Sequence, residues 1–302
     1  YYTDSKTSFD NSFFGNDPRQ NSSHYIYNLY FERKNEKINS RLDFDKSEIS
    51  LNYSYGTIIK TQQTQFRIAN NYFIDNRQSL IFGFESTDDT RSPEASGLSR
   101  RKIDSLYAGY LSNFRNLSFQ LNLRNDDSNI FGDKTTWFIG ASYELTPILT
   151  VFANKSTAFG IPTAYAISTN PSLLPEDHKS QEIGLNFFTQ NNSLRFLFFE
   201  SKTNNPITFD PSDFYMAKNF KSFNNNGVEI TSRSFINKQI LNFSWTIQNP
   251  KTPSGLDPNI SVQSARRARS FGSLSWTFLN NFYEIGAKGI YGSSRNDSDY
   301  SK

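Results

Sequence analysis

The chain has 302 residues, a formal charge of +3 and no cysteine, which excludes disulfide scaffolds and thiolate metal or nucleophile chemistry. Its 29 Phe and 16 Tyr against a single Met favour strands over helices, and the dispersed Lys and Arg form no basic patch for nucleic acid. Mean hydropathy is -0.63 and no 18 apolar residues run together, which excludes a transmembrane helix but not a transmembrane barrel, whose strands alternate lipid-facing and lumen-facing residues.

Period-two runs follow one another along the chain. The first hairpin is expected around Asp45-Lys46-Ser47, followed by a strand with Ile49, Leu51, Tyr53 and Tyr55 on one face. Phe66, Ile68, Tyr72 and Ile74 turn at Asp75–Gln78 into Leu80, Phe82 and Phe84. Ala108 and Tyr110 turn at Arg115-Asn116 into Phe119, Leu121 and Leu123, whose other face is Gln120, Asn122 and Arg124. Trp137, Ile139, Ala141 and Tyr143 pass Thr146-Pro147 to Leu149 and Val151.

The second half repeats the unit. Ile183, Leu185 and Phe187 turn at Asn191-Asn192 into Leu194, Phe196 and Phe198. Val228 and Ile230 turn at Asn237-Lys238 into Leu241, Phe243, Trp245 and Ile247, and Leu274, Trp276 and Phe278 turn at Asn280-Asn281 into Tyr283, Ile285 and Ala287. Long polar connections are expected at 4–23, 88–102, 156–179, 202–226 and 249–263, alternating with the tight turns. The pattern predicts an all-β fold, a large antiparallel up-and-down transmembrane β-barrel of about 14 strands, each of about ten residues, with aromatic girdles near the strand ends. A water-soluble β-sandwich or propeller is the alternative, since its strands also alternate.

Several segments carry a family likeness. Thr146-Pro147 with the following Leu149–Thr163 resembles a strand-and-corner segment of TonB-dependent outer-membrane receptors. Asn170-Pro171-Ser172-Leu173-Leu174-Pro175-Glu176, with Gln181-Glu182-Ile183-Gly184, resembles their NP-x-L-x-PE…E-x-G signature, and Gly227-Val228-Glu229 their G-V-E. Arg124–Gly132, Gly140–Glu144 and Ser264–Ala268 are similar to the cobalamin-transporter branch. The resemblance implies about 22 strands in a whole receptor, so 1–302 would be a partial barrel domain lacking the N-terminal plug and the C-terminal strands. The opening on Tyr1-Tyr2-Thr3-Asp4 and the stop at Ser301-Lys302 also read as a fragment.

The resemblance further implies import of a scarce nutrient, with cobalamin favoured and a siderophore or a passive porin or adhesin barrel as alternatives. It implies a monomer in a Gram-negative outer membrane, in contact with lipid and lipopolysaccharide and coupled to TonB through the plug. No catalytic spacing surrounds His24 or His178, each expected in a loop, so no enzyme is expected. Asp4 and Asp10 fall where the cobalamin branch places calcium-ligating carboxylates; the alternative is two solvated loop residues. Arg266 and Arg267, guanidiniums at a strand's loop end, are candidate substrate ligands or a solvated rim. Tyr165 and Phe214, with Phe209 and Tyr215, are loop rings that could stack on a flat ligand or simply pack the loops. Asp126, Asp127 and Asp133 are expected in an acidic loop as ordinary turn residues.

Overall fold

A computed structural model of the chain describes residues 2–8, 19–54, 56, 58–95, 98–210, 216–253 and 261–296. Strands β1 (Tyr2–Ser8), β2 (Arg19–Lys34), β3 (Ile38–Tyr53), β4 (Ile58–Phe73) and β5 (Gln78–Ala95) each pair antiparallel with the next. The ladder continues through β6 (Leu98–Phe114), β7 (Leu117–Ser128), β8 (Gly132–Thr146) and β9 (Leu149–Gly160). A short helix, α1 (Ala164–Thr169), leads to β10 (Glu176–Phe188) and β11 (Asn192–Asn204). Two short strands, β12 (Ile207–Asp210) and β13 (Met216–Asn219), form their own hairpin. Then β14 (Ser222–Ile236) and β15 (Gln239–Gln248) extend the ladder. The pieces β16 (Lys251–Pro253) and β17 (Ser261–Gln263) precede β18 (Ser270–Leu279) and β19 (Glu284–Gly292). Seventeen strands share one sheet. The all-β, antiparallel, up-and-down expectation stands; the surplus over about 14 strands comes largely from short pieces inside the connections.

One face of this sheet is a belt of apolar side chains. Cross-strand registers line up Leu117, Tyr143, Val151, Leu185, Phe196, Ile230 and Trp245 in one row. The next row holds Phe119, Ala141, Ala153, Ile183, Phe198, Val228 and Ile247. Ile183 is 58% exposed and Phe198 41%, so no second protein layer covers them. Near the tight turns Tyr110 donates to Gln78 Oε1 at 2.5 Å and Trp276 Nε1 to Gln239 Oε1 at 2.8 Å. Rings with a greasy body and a satisfied polar tip are what a membrane interface selects.

The opposite face is the lumen. Pro162 and Thr163, just after β9, line one cavity with Ile49 and Leu51 of β3 and Ile59 of β4, and α1 touches β5 and β6. A chord between strands so far apart along the ladder can run only on the concave side. Gln120, Asn122 and Arg124 share that face, as the alternation predicts. Glycines let the wall curve beneath lumenal rings: a Cβ on Gly184 would sit 2.4 Å from the Phe196 carbonyl oxygen and 2.6 Å from the Phe152 ring.

Several expectations fail, for connected reasons. The chain runs straight through Asp45-Lys46-Ser47 inside β3, and the turn falls instead at Asn35–Lys37, where Asn35 Oδ1 accepts from the amides of Lys37 and Ile38. The polar stretch 88–102 is mostly strand: β5 and β6 carry on past the apolar belt, with Arg100 donating to Asp88 and Lys102 to Asp104 on the outer face. Strands of 16 to 18 residues in β2–β6 are longer than a bilayer requires, so their outer thirds stand in water. There the alternation changes meaning. Ile49 and Leu51 fall on the Asp43 face of β3 and point into the lumen rather than toward lipid.

Gly184→Val should destabilise the barrel by about 1–3 kcal/mol, because a backbone oxygen cannot move aside for the new side chain; the check is the temperature at which the folded band is lost on a semi-native gel. In the Asp75 turn the Arg77 amide (2.7 Å) and the Gln78 side chain (2.9 Å) hold the carboxyl below the usual range. Its contribution is therefore complete above the unfolded carboxylate pKa near ~4 and is lost as pH falls through the lower folded value. Asp75→Asn should flatten the loss of barrel stability below about pH 4, read from denaturant midpoints across pH.

Candidate functional site

The lumenal wall carries a ladder of ion pairs set by register. Asp43 of β3 stands opposite Arg67 of β4, Arg67 opposite Glu85 of β5, Glu85 opposite Ser105 of β6, and Ser105 opposite Asp126 of β7. Asp43 is 1% exposed and accepts from Arg41 at 2.7 Å and Arg67 at 3.2 Å. Arg124 donates to Glu85 (3.0 Å), Asp126 (2.8 Å) and Ser105 Oγ (2.8 Å), and Ser105 donates to Asp126 at 2.6 Å. A buried carboxylate is tolerable only with such partners.

Above this ladder the long connections fold inward as one unit. Thr163 caps α1 by accepting from the Ala166 amide at 3.1 Å. Ala166, Leu173 and Ala217 form a small apolar core with Ile207 packed against it. The NPSLLPE stretch supplies the polar stitching. Asn170 Nδ2 donates to the Ala217 carbonyl at 2.9 Å, Asn219 exchanges bonds with the backbone of Leu174, and Glu176 accepts from the Ile207 amide at 2.6 Å. The signature residues therefore lock the loop before β10 to the β12–β13 hairpin. Local structure alone cannot hold either loop; together they bury enough backbone polarity to be ordered.

The expected site residues are scattered over this scaffold. Arg266 and Arg267 lie between β17 and β18. Arg266 adopts a φ of 59° and its amide donates to the Asn296 carbonyl at 2.6 Å. The Arg267 guanidinium lies 5.8 Å from the centre of the Phe223 ring. Tyr165 is in α1, and Phe214 and Asp10 lie outside the described residues. Asp4 is in β1, opposite Ser23. Among the described residues no group of three or more acidic, histidine or cysteine side chains converges.

Two further corrections concern charge. The Asp126–Asp133 loop is only the tip of a hairpin: Asp126 is a buried lumenal strand residue, and Asp127 and Asp133 are cross-strand neighbours. His24 and His178 are strand residues as well, His178 bonding Thr203 Oγ1 at 2.8 Å. The lumenal ladder escaped the sequence reading because its members are far apart in the chain; only the register brings them together.

Asp43→Ala should cost the protein about 1.5–3 kcal/mol, the worth of hydrogen bonds to a charged acceptor, whereas Asp127→Ala, which removes one of two facing like charges, should cost nothing or stabilise. Denaturant midpoints of the two variants in detergent measure the difference.

Comparison with known proteins agrees with this architecture. The family model described as TonB dependent receptor-like, beta-barrel, matches residues 1–302. The vitamin B12 transporter BtuB of Photobacterium profundum is 24% identical over 322 aligned residues, covering 100% of this chain and 52% of that protein. A BtuB of Vibrio vulnificus is 27% identical over 160 residues, covering 50% of this chain and 26% of that protein. The chain thus spans about half the length of the first curated relative, or less of the second. Among solved structures, the siderophore receptor PirA from Pseudomonas aeruginosa superposes with a TM-score of 0.73 at 16% identity, over 91% of this chain and 57% of its own. The alcaligin outer-membrane receptor FauA from Bordetella pertussis gives 0.66 at 15%, over 97% of this chain and 56% of its own; both likenesses speak to the fold. A lipid-facing belt, a charged lumen and inward-folded loops thus sit on a ladder that the family model matches end to end, and the chain belongs to the TonB-dependent receptor-like β-barrel family of the Gram-negative outer membrane.

Proposed function

We propose that this chain is the barrel wall of a receptor that imports cobalamin across the outer membrane by TonB-coupled active transport. The observation that carries the reading is the likeness to vitamin B12 transporters along the whole chain, reinforced by a signature whose residues tie the loops together over the lumen. In this reading the wall performs no chemistry. It offers a hydrogen-bonded, partial barrel wall to the lipid and a polar, ion-paired lumenal face to a plug domain, and TonB pulls on that plug at the energised inner membrane. Arg266 and Arg267 at the loop end, with the rings of Tyr165 and Phe214, are the side chains assigned to first contact with the ligand. Calcium held by Asp4 and Asp10 in concert with oxygens from elsewhere in the receptor belongs to the same reading.

An iron-chelate receptor of the same family is the rival, and a barrel without a plug would be a passive pore. Equilibrium binding of cyanocobalamin to the intact receptor, with ferric siderophores as competitors, separates them. Saturable cobalamin binding that excess siderophore leaves unchanged is expected. Saturable siderophore binding without cobalamin binding would replace the substrate, and uptake that persists without TonB would replace the mechanism.

A further inference from the structure

Between the inward-folded Pro162-Thr163 and the outer thirds of β3, β4 and β5 lies a lumenal cavity of about 550 Å³. Its wall has two kinds of side chain. Ile49, Leu51 and Ile59 form an apolar face, and they point inward at a height where lipid gives no reason for greasy residues. Beside them stand Ser47, Thr61, Gln63, Asp89, Arg91, Arg101 and Arg100, the last paired with Asp88.

The charges in the cavity do not cancel. Asp89 accepts from Gln63 at 2.8 Å and is paired with Arg101. That leaves Arg91, whose Nε is shut off from solvent with no hydrogen-bond partner among the described residues. The backbone accounts for its position. Arg91 stands opposite Thr61 of β4, but the β5–β6 register shifts between Thr90 and Ala95, so Arg91 has no partner on β6. A bulge of this kind re-aims the side chain it carries and interrupts the ladder at a cost. A guanidinium nitrogen shut off from solvent without an acceptor adds a second cost. An anionic ligand supplies the missing acceptor and relieves the second.

We infer that this cavity receives the anionic group of the transported nutrient, with the Arg91 guanidinium as its counter-charge and Ile49, Leu51 and Ile59 as the wall for an adjoining apolar part. The inference rests on the transport reading above and narrows it: the cargo is a molecule with a phosphate, carboxylate or catecholate group beside an apolar surface. Arg91 donates to that group, and the Thr61 and Gln63 side chains beside it are polar partners for the remaining oxygens.

The test uses the intact receptor and three probes: cyanocobalamin, which carries a phosphodiester; an anionic ferric tris-catecholate; and an uncharged ferric tris-hydroxamate. Binding is measured for the wild type, Arg91→Gln and Arg91→Lys, after each variant is shown to fold by its unheated gel mobility. The expected result is that the wild type binds one of the anionic probes, that Arg91→Gln weakens it about tenfold or more, and that Arg91→Lys recovers part of the loss. Unchanged affinity in Arg91→Gln overturns the Arg91 assignment while leaving the transport reading intact. Wild-type binding of the uncharged probe alone also overturns it. Binding of none of the three overturns both.

Discussion

Hydrocarbon offers no partner to a peptide group, so every N–H and C=O at membrane depth must be paired inside the protein. The antiparallel ladder meets that demand for every strand between its two outer ones, β1 and β19, and the rest of the structure follows from it. Because the ladder fixes which residues face outward, it forces the apolar row at Leu185 and Phe196 into lipid and the row at Asp43, Arg67 and Glu85 into the lumen. Tight turns suffice at one end because each strand returns beside its neighbour. At the other end the wall rises past the bilayer, and its loops are free to fold inward.

The lumen's electrostatics are a consequence of the same geometry. Side chains brought into register across five strands form a network of paired charges, in which Arg124 binds two carboxylates and Asp43 two guanidiniums. Such a network keeps a polar surface rigid without apolar filling. The stitched loops obey the same economy, since Asn170, Asn219 and Glu176 satisfy backbone groups that a small core of Ala166, Leu173 and Ala217 could not protect unaided.

Much of this was legible in the residues. Period-two alternation located most strands, the turns at Asp75, Arg115, Asn191 and Asn237, and the outward rows of the belt. It failed where polarity stopped tracking secondary structure. Above the bilayer neither face of a strand meets lipid, so Asp88–Lys102 looked like a loop, and the Ile49–Leu51 face looked lipid-bound although it lines a cavity. Alternation shows that two faces differ; it does not show which solvent each one meets. Asp43 and Arg124 were invisible as ion-paired centres because partners of each lie on other strands, and register is a property of the assembled sheet. The signature around Asn170 was recognisable as a motif, yet its work as a loop fastener needed the β12–β13 hairpin to be in place.

The central claim is that one face of the ladder meets lipid and the other a polar lumen. These 302 residues contain no cysteine, so single-cysteine variants at Ile183 and at Asn122, spin-labelled in the membrane-embedded receptor, report on each face directly. The label at residue 183 should be relaxed by oxygen dissolved in the bilayer and insensitive to an aqueous nickel chelate, whereas the label at 122 should be insensitive to bilayer oxygen. A label at 183 that responds to the nickel chelate, or to neither agent because protein covers it, would contradict the account.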